Sequence, residues 1–215
     1  MPAPPSPSII ASARPRRRRW RRASLPPAAA PSRSPPTSRK RPPSPRWSSA
    51  PKSELGPVDI LVNNAGIAIV RGVDDLTEED FDRTITVNLK SAFLCTQAVL
   101  PMMRTRKWGR IVNISSGAAR GAGSIGPHYN ASKAAVEGMT RGYAARLVKE
   151  GITVNAVAPS LIETDMMRGQ SELVSRIPMG RFGTAEEVAQ AVMLLVNNPY
   201  MTGQTIAMSG GMAFN

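Results

Sequence analysis

The sequence predicts an α/β protein whose core is a doubly wound parallel sheet with helices on both faces. Three observations lead there. Apolar runs at residues 58–63, 110–115 and 152–158 lack the strict alternation of a half-exposed strand, as strands covered on both faces do. Stretches of helical period separate these runs, and a parallel sheet needs such crossovers. A serine pair closes the second run and a Tyr-x-x-x-Lys follows it, at the strand end where open α/β sheets bind ligands.

The first run is bounded by Gly56-Pro57 and by Asn64-Ala65-Gly66, both turn-forming. Gly66 lets a ligand approach the main chain closely. A loop through Arg71 and Gly72 leads to Thr77-Glu78-Glu79-Asp80, a threonine N-cap with acids in the first turn. Helical period then runs through Val87, Leu89, Phe93, Leu94 and Val99, with a stop expected near Pro101 or shortly after it. Asn88 falls inside this pattern, and a mediocre helix former there points to a polar role. Cys95 shares the apolar pattern and reads as a small core residue.

The second run ends at Ser115-Ser116, and residues 117–127, rich in Gly and Ala, form a loop. Residues 121–126 spell a formal GxGxxG. It is rejected as a dinucleotide fingerprint, because the helix is expected not to open on it and no acid-bearing strand follows. It reads instead as a mobile substrate-side loop. A helix from 129 to 150 places Tyr129 and Lys133 on one face. An ammonium beside a phenol lowers the phenol's pKa and makes Tyr129 a usable acid or base. Alone, that spacing equally describes a surface pair; Ser116 at a strand end argues for a site.

Lys149-Glu150-Gly151 ends the helix with a glycine stop, and the third run, 152–158, ends at Pro159-Ser160. A polar segment, Glu163-Thr164-Asp165-Met166-Met167, follows. Thr184-Ala185-Glu186-Glu187 has the form of a capping box for a helix through Val196, and residues 204–208 make the last strand.

Charge divides the chain. It holds 28 Lys+Arg against 15 Asp+Glu, but 13 of the basic residues and none of the acids lie in 1–52, so 53–215 is formally neutral. Pro, Ser, Arg and Ala dominate residues 1–52, which lack any period and read as disordered. Three further readings attach to that segment. Its arginines with Trp20 and Trp47 could bind nucleic acid through phosphates and stacking. An acid-free, Arg- and Ser-rich leader could address an organelle, though proline opposes the amphipathic helix such leaders use. Out-of-frame translation of GC-rich DNA, or a misassigned start, would also give this composition. A secretory signal is excluded, since no apolar core follows the charges. One cysteine excludes a disulfide framework, and one histidine, His128, argues against a metal site. No apolar stretch reaches the roughly 18 residues that span a bilayer.

Asn63-Asn64-Ala65-Gly66, Asn88, Ser116, Tyr129-xxx-Lys133 and the run 152–159 stand in an order that resembles the short-chain dehydrogenases/reductases. The likeness is to members such as 3-oxoacyl-[acyl-carrier-protein] reductase and covers 53–215. It implies a Rossmann-like sheet present only from the family's fourth strand onward, behind a disordered basic segment. The family's opening strand, TGxxxGxG turn and next two βα units have no counterpart in 1–52. The chain on its own is therefore expected to bind nicotinamide poorly and to be poorly soluble.

By the resemblance, Tyr129 is the general acid/base, and Ser116 hydrogen-bonds the reacting oxygen. Ser115 and Ser124 are the other candidates, and the thirteen-residue spacing to Tyr129 selects Ser116. Lys133 lowers the tyrosine pKa and holds the nicotinamide ribose, and Asn88 holds a water that links Lys133 to solvent. Asn64, Ala65 and Gly66 line the adenosine side; Pro159, Ser160, Ile162 and Thr164 face the nicotinamide end. The family usually has Pro-Gly where this chain has Pro159-Ser160, which puts a Cβ toward the nicotinamide. The implied activity is NAD(P)-dependent hydride transfer with a small alcohol or ketone, including a 3-oxoacyl thioester. The preference between NAD and NADP is not legible. The resemblance also implies a cytoplasmic homo-oligomer, a tetramer, with no membrane association. Two rivals stand beside it: a catalytically dead module pairing with full-length relatives and, ranked below, a nucleic-acid binder.

Deleting residues 1–52 is expected to leave the melting of the remainder unchanged, because a disordered arm buries little surface. Amide exchange across the arm should run at the unprotected rate, and a contiguous protected stretch would overturn the reading.

Overall fold

Four strands, β1 (Ile60–Asn63), β2 (Gly109–Ile114), β3 (Ile152–Pro159) and β4 (Thr205–Met208), pair in parallel in that order. The computed structural model describes residues 56–164, 169 and 171–213. The disordered arm expected at 1–52, and Asp165, Met166 and Met167, lie outside the described residues.

The strands are short and apolar because both faces of the sheet are covered. Ile111, Ile152 and Val154 pack with Leu100 and Met103 of helix α2 (Ser91–Arg106) and Ala144 and Leu147 of helix α3 (Pro127–Leu147). Val112 and Val157 point to the opposite face, against Leu195 and Val196 of helix α4 (Ala185–Asn197). Successive residues thus feed two cores, as the period of two requires. β1 is the exception: Ile60 is 44% and Val62 41% exposed, and among the described residues this edge strand pairs only with β2.

Helix α1 (Glu78–Ile85) starts on Thr77, whose hydroxyl accepts from the Asp80 N–H. A π turn over Thr86–Lys90 carries it into α2. Pro101 does not end α2, which runs on to Arg106 before Lys107 turns left-handed. Burial of Leu100 and Met103 against β2 and β3 outweighs the hydrogen bond that proline forgoes. Cys95 is only half-buried, not the core residue its apolar pattern suggests.

One turn assignment differs from expectation. α3 opens on Pro127, a residue expected in the loop but suited to the first helical position. The helix therefore does open directly on Gly126, the last glycine of the formal GxGxxG. It still forms no anion cradle. Pro127 offers no N–H, and the carbonyls of Gly121 and Ala122 turn inward to accept from Asn130 Nδ2. At the other end Gly151 adopts φ +76°, where a Cβ would collide with the Lys107 carbonyl. The Thr184–Glu187 capping box forms as expected. Among the described residues no helix is long and apolar enough to cross a membrane.

One buried charge ties the starts of β2 and β3 to the end of α4. Arg110, 7% exposed, donates to the carbonyls of Val196, Gly109 and Gly151 and lies over the Trp108 ring. It caps the last turn of α4 with a cation, where the helix dipole favours one. Arg110→Met should strand these carbonyls and cost about 2 kcal/mol. That lowers Tm by roughly 4–8 °C in a domain of this size. A variant that melts with the wild type would show that water replaces the guanidinium without loss.

Candidate active site

The carboxyl ends of β1, β2 and β3 open into a cleft of about 570 Å3, walled by α3 and the start of α4. Asn64, Gly66, Ser116, Tyr129, Lys133, Pro159, Ser160, Ile162 and Thr164 all line it. The structure thus gathers residues that span a hundred positions of sequence onto one surface. Of the residues singled out from the sequence, Ala65 and Asn88 do not line the cleft.

Asn88 lies behind the wall, 3% exposed, at the centre of the π turn. Its Oδ1 accepts from the Ile67 N–H at 2.8 Å, and its Nδ2 donates to the Ile67 carbonyl at 3.0 Å and to Ser132 Oγ at 3.1 Å. Ser132 in turn donates to the Tyr129 carbonyl at 2.7 Å. Asn88 therefore fastens the loop after β1 to the first turns of α3. The local widening of the helix accompanies that double contact, in keeping with π turns at functional sites.

Lys133 is 5% exposed and donates to the Ile114 carbonyl at 3.0 Å. Burial lowers its pKa to about 8. The expected effect on Tyr129 is not what the structure shows. Burial raises the phenol's pKa, and the Ser116 hydroxyl, its hydrogen-bonding partner, draws it partly back. The ammonium lies 5.7 Å from the centre of the Tyr129 ring and is engaged by Ile114. Desolvation, not the ammonium, sets the direction for the phenol.

The serines separate cleanly. Ser116 extends from the end of β2, faces Tyr129, and caps a short 3-10 turn by accepting from the Ala118 N–H. The neighbouring Ser115 points away to the Lys133 carbonyl and the Glu137 carboxylate, 3.2 Å from each. Ser124 is exposed on the loop. Ser160 is hydrogen-bonded through its N–H to the Met208 carbonyl, and its hydroxyl lies 3.6 Å from Met212 Sδ.

A family model described as enoyl-(acyl carrier protein) reductase matches residues 46–213. Among curated relatives, 3-oxoacyl-[acyl-carrier-protein] reductase FabG of Thermotoga maritima is 44% identical, over 74% of this chain and 68% of its own. Subunit BbsD of the Thauera aromatica (2S)-[(R)-hydroxy(phenyl)methyl]succinyl-CoA dehydrogenase is 45% identical, over 73% of this chain and 66% of its own. The chain belongs to the short-chain dehydrogenase/reductase family. A solved structure of ElxO with NADP bound superposes with a TM-score of 0.71 at 31% identity, over 75% of this chain and 69% of that one. The chain spans about two thirds of the length of the curated relatives it matches.

Sequence reasoning passes over Ile67, Ser132 and Glu137. Ile67 acts through its backbone and leaves no signal in side-chain type. Ser132 sits inside the Tyr-x-x-x-Lys motif but draws no notice as a small residue. Glu137 carries the clearest signal, an acid one helical turn beyond Lys133 on the same face.

The buried lysine makes stability depend on pH. Its folded pKa, about 8, lies below the ordinary 10.5, so below pH 8 both folded and unfolded forms carry the charge, and the folded form bears its desolvation. As pH rises from about 8 to 10.5 the folded form sheds the proton first, and stability increases by up to about 3 kcal/mol. Between about pH 7.5 and 9.5, below the tyrosine range, wild type should gain stability relative to Lys133→Met. A difference that stays flat over that window would overturn the burial of the ammonium.

Proposed function

We propose that this cleft is the active site of an NAD(P)-dependent oxidoreductase that interconverts a secondary alcohol and its ketone. The observation that carries the reading is a half-buried phenol lining the cleft, with the Ser116 hydroxyl as its hydrogen-bonding partner and the Lys133 ammonium near its ring. Ser116 donates to the reacting oxygen and steadies its developing charge. Tyr129 transfers the proton at that oxygen.

The residues present fit the nicotinamide-ribose half of a dinucleotide. Lys133 Nζ carries three donors and, among the described residues, spends one on Ile114. The other donors suit ribose hydroxyls. A Cβ on Gly66 would lie 3.4 Å from that Nζ, so the glycine keeps the approach open. Asn64, Ala65 and Gly66 serve the adenosine side, and Pro159, Ser160, Ile162 and Thr164 the nicotinamide end. The bound nicotinamide supplies or takes up the hydride. Among the described residues lining the cleft there is no glycine-rich turn for a pyrophosphate, nor an acid or arginine that selects NAD or NADP. The relatives' names make a 3-oxoacyl thioester the first substrate to try. A homo-oligomer is the expected assembly.

A second reading, a pairing module for full-length relatives, draws on the exposed apolar face of β1 and on its edge, unpaired among the described residues.

The test compares the full chain with a chimera in which the front part of the Thermotoga maritima relative precedes residue 56. The full chain alone should bind NADH and NADPH more weakly than micromolar. The chimera should reduce a 3-oxoacyl thioester, and Tyr129→Phe should lower its turnover by about 10²–10⁴-fold. Ser116→Ala should cost about 10²–10³-fold. Near-normal turnover by Tyr129→Phe would sink the assignment.

A further inference from the structure

Glu137 is the one buried acid of the described residues, 4% exposed, and the chemistry assigned above does not use it. It stands one turn beyond Lys133 and two beyond Tyr129, so the three share one stripe of α3. A carboxylate in that position is costly unless hydrogen-bonded on both oxygens. Oε1 accepts from Ser115 Oγ at 3.2 Å, and Oε2 accepts from Arg120 Nε at 3.1 Å. Arg141, the next turn along α3, reaches Oε2 only at 4.0 Å and is largely exposed.

The two partners bracket Ser116. Ser115 is held from the sheet side by its N–H to the Val157 carbonyl. Arg120 closes the 3-10 turn that Ser116 caps, through its N–H to the Gly117 carbonyl. One carboxylate therefore grips both ends of the six-residue segment 115–120, and Ser116 has little room to move between them. The ion pair itself is half-exposed at Arg120, whose side chain is 39% accessible. Such a pair adds little to stability. Its geometric effect is larger, because catalytic groups lose about 10²-fold when displaced by about 1 Å.

We propose that Glu137 is a positioning residue: through Ser115 and Arg120 it holds the Ser116 hydroxyl against the Tyr129 phenol. The proposal rests on the reading of Ser116 and Tyr129 given above and adds the group that sets their geometry. Glu137→Gln keeps an acceptor for Ser115 but removes the charge that holds Arg120. Ser116 then loosens, and its pull on the phenol weakens.

The experiment reads the phenol directly and needs no turnover. The chain has three tyrosines; with Tyr143→Phe and Tyr200→Phe, Tyr129 alone remains. Incorporating 3,5-difluorotyrosine into the full-length protein brings its titration toward neutral pH, where 19F resonance follows it. Glu137→Gln and Arg120→Met should each raise the Tyr129 pKa, by up to about 0.5–1 pH unit, the worth of one hydrogen bond. Ser116→Ala should give the full rise, and adding Glu137→Gln to it should give no more. If Ser116→Ala raises the pKa while Glu137→Gln and Arg120→Met leave it unchanged, Glu137 is a structural residue and the proposal falls. If Ser116→Ala itself has no effect, the Ser116–Tyr129 pairing fails, and the functional reading fails with it. If Glu137→Gln does not fold, Arg120→Met decides the matter alone, because it leaves the buried carboxylate and Ser115 in place.

Discussion

The site depends on burying one polar stripe of one helix. Tyr129, Lys133 and Glu137 recur every fourth residue of α3, and Lys133 and Glu137 are among its least accessible side chains. Each needs a partner, because an unpaired polar group out of water costs more than folding can spare. The end of β2 supplies most of them: the Ile114 carbonyl for Lys133, and Ser115 for Glu137. The strand end and the helix thus fix each other. Ser132, on the adjoining stripe, is answered by Asn88, and Asn88 reaches it from a π turn. A local irregularity in one helix is in this way coupled to the placement of the phenol in another.

The edge strand β1, which packs only Leu61 on the core, is held by the same kind of contact. Asn63 Nδ2 donates to Asn113 Oδ1 at 2.8 Å, and Asn113 Nδ2 donates to Thr140 on α3 at 2.9 Å. Arg106 reaches the Val58 carbonyl and the Asp59 carboxylate from the end of α2. These bonds run from the edge strand through the sheet to α3, so the Asn64–Gly66 turn keeps its place although Ile60 and Val62 face solvent. The cleft is consequently unequal. Its α3 side is built from buried, cross-bonded groups, while among the described residues its β1 side is an open apolar edge.

Much of this is legible in the sequence because its signals are local. Thr77 and the Thr184–Glu187 box mark helix starts by short-range hydrogen bonds that the sequence spells out. Gly151 marks a stop because its backbone angle excludes a side chain. The Tyr129–Lys133 spacing and the position of Ser116 follow from helix and strand geometry. What escapes depends on partners distant in sequence. The π turn forms where Asn88 meets Ile67, 21 residues away, and helix propensity is blind to that. Pro101 stays helical because the sheet buries its neighbours, and tertiary packing overrides local preference. The effect of Lys133 on Tyr129 escapes for the same reason. Spacing gives adjacency, but only the fold shows that both groups are desolvated.

Desolvation also bears on the direction of the proposed reaction. Burial drives each ionisable group toward its neutral form: the phenol holds its proton more tightly than usual, and the lysine gives one up at about pH 8. A protonated phenol is ready to donate to a carbonyl oxygen, which is the step ketone reduction needs. Removing a proton from an alcohol would need the phenolate, and that requires positive charge close to the phenol oxygen. The Lys133 ammonium donates to Ile114 and lies 5.7 Å from the ring centre, and burial prevails at the phenol. Ser116 is the group that opposes burial, so whatever fixes Ser116 sets how readily the proton moves either way.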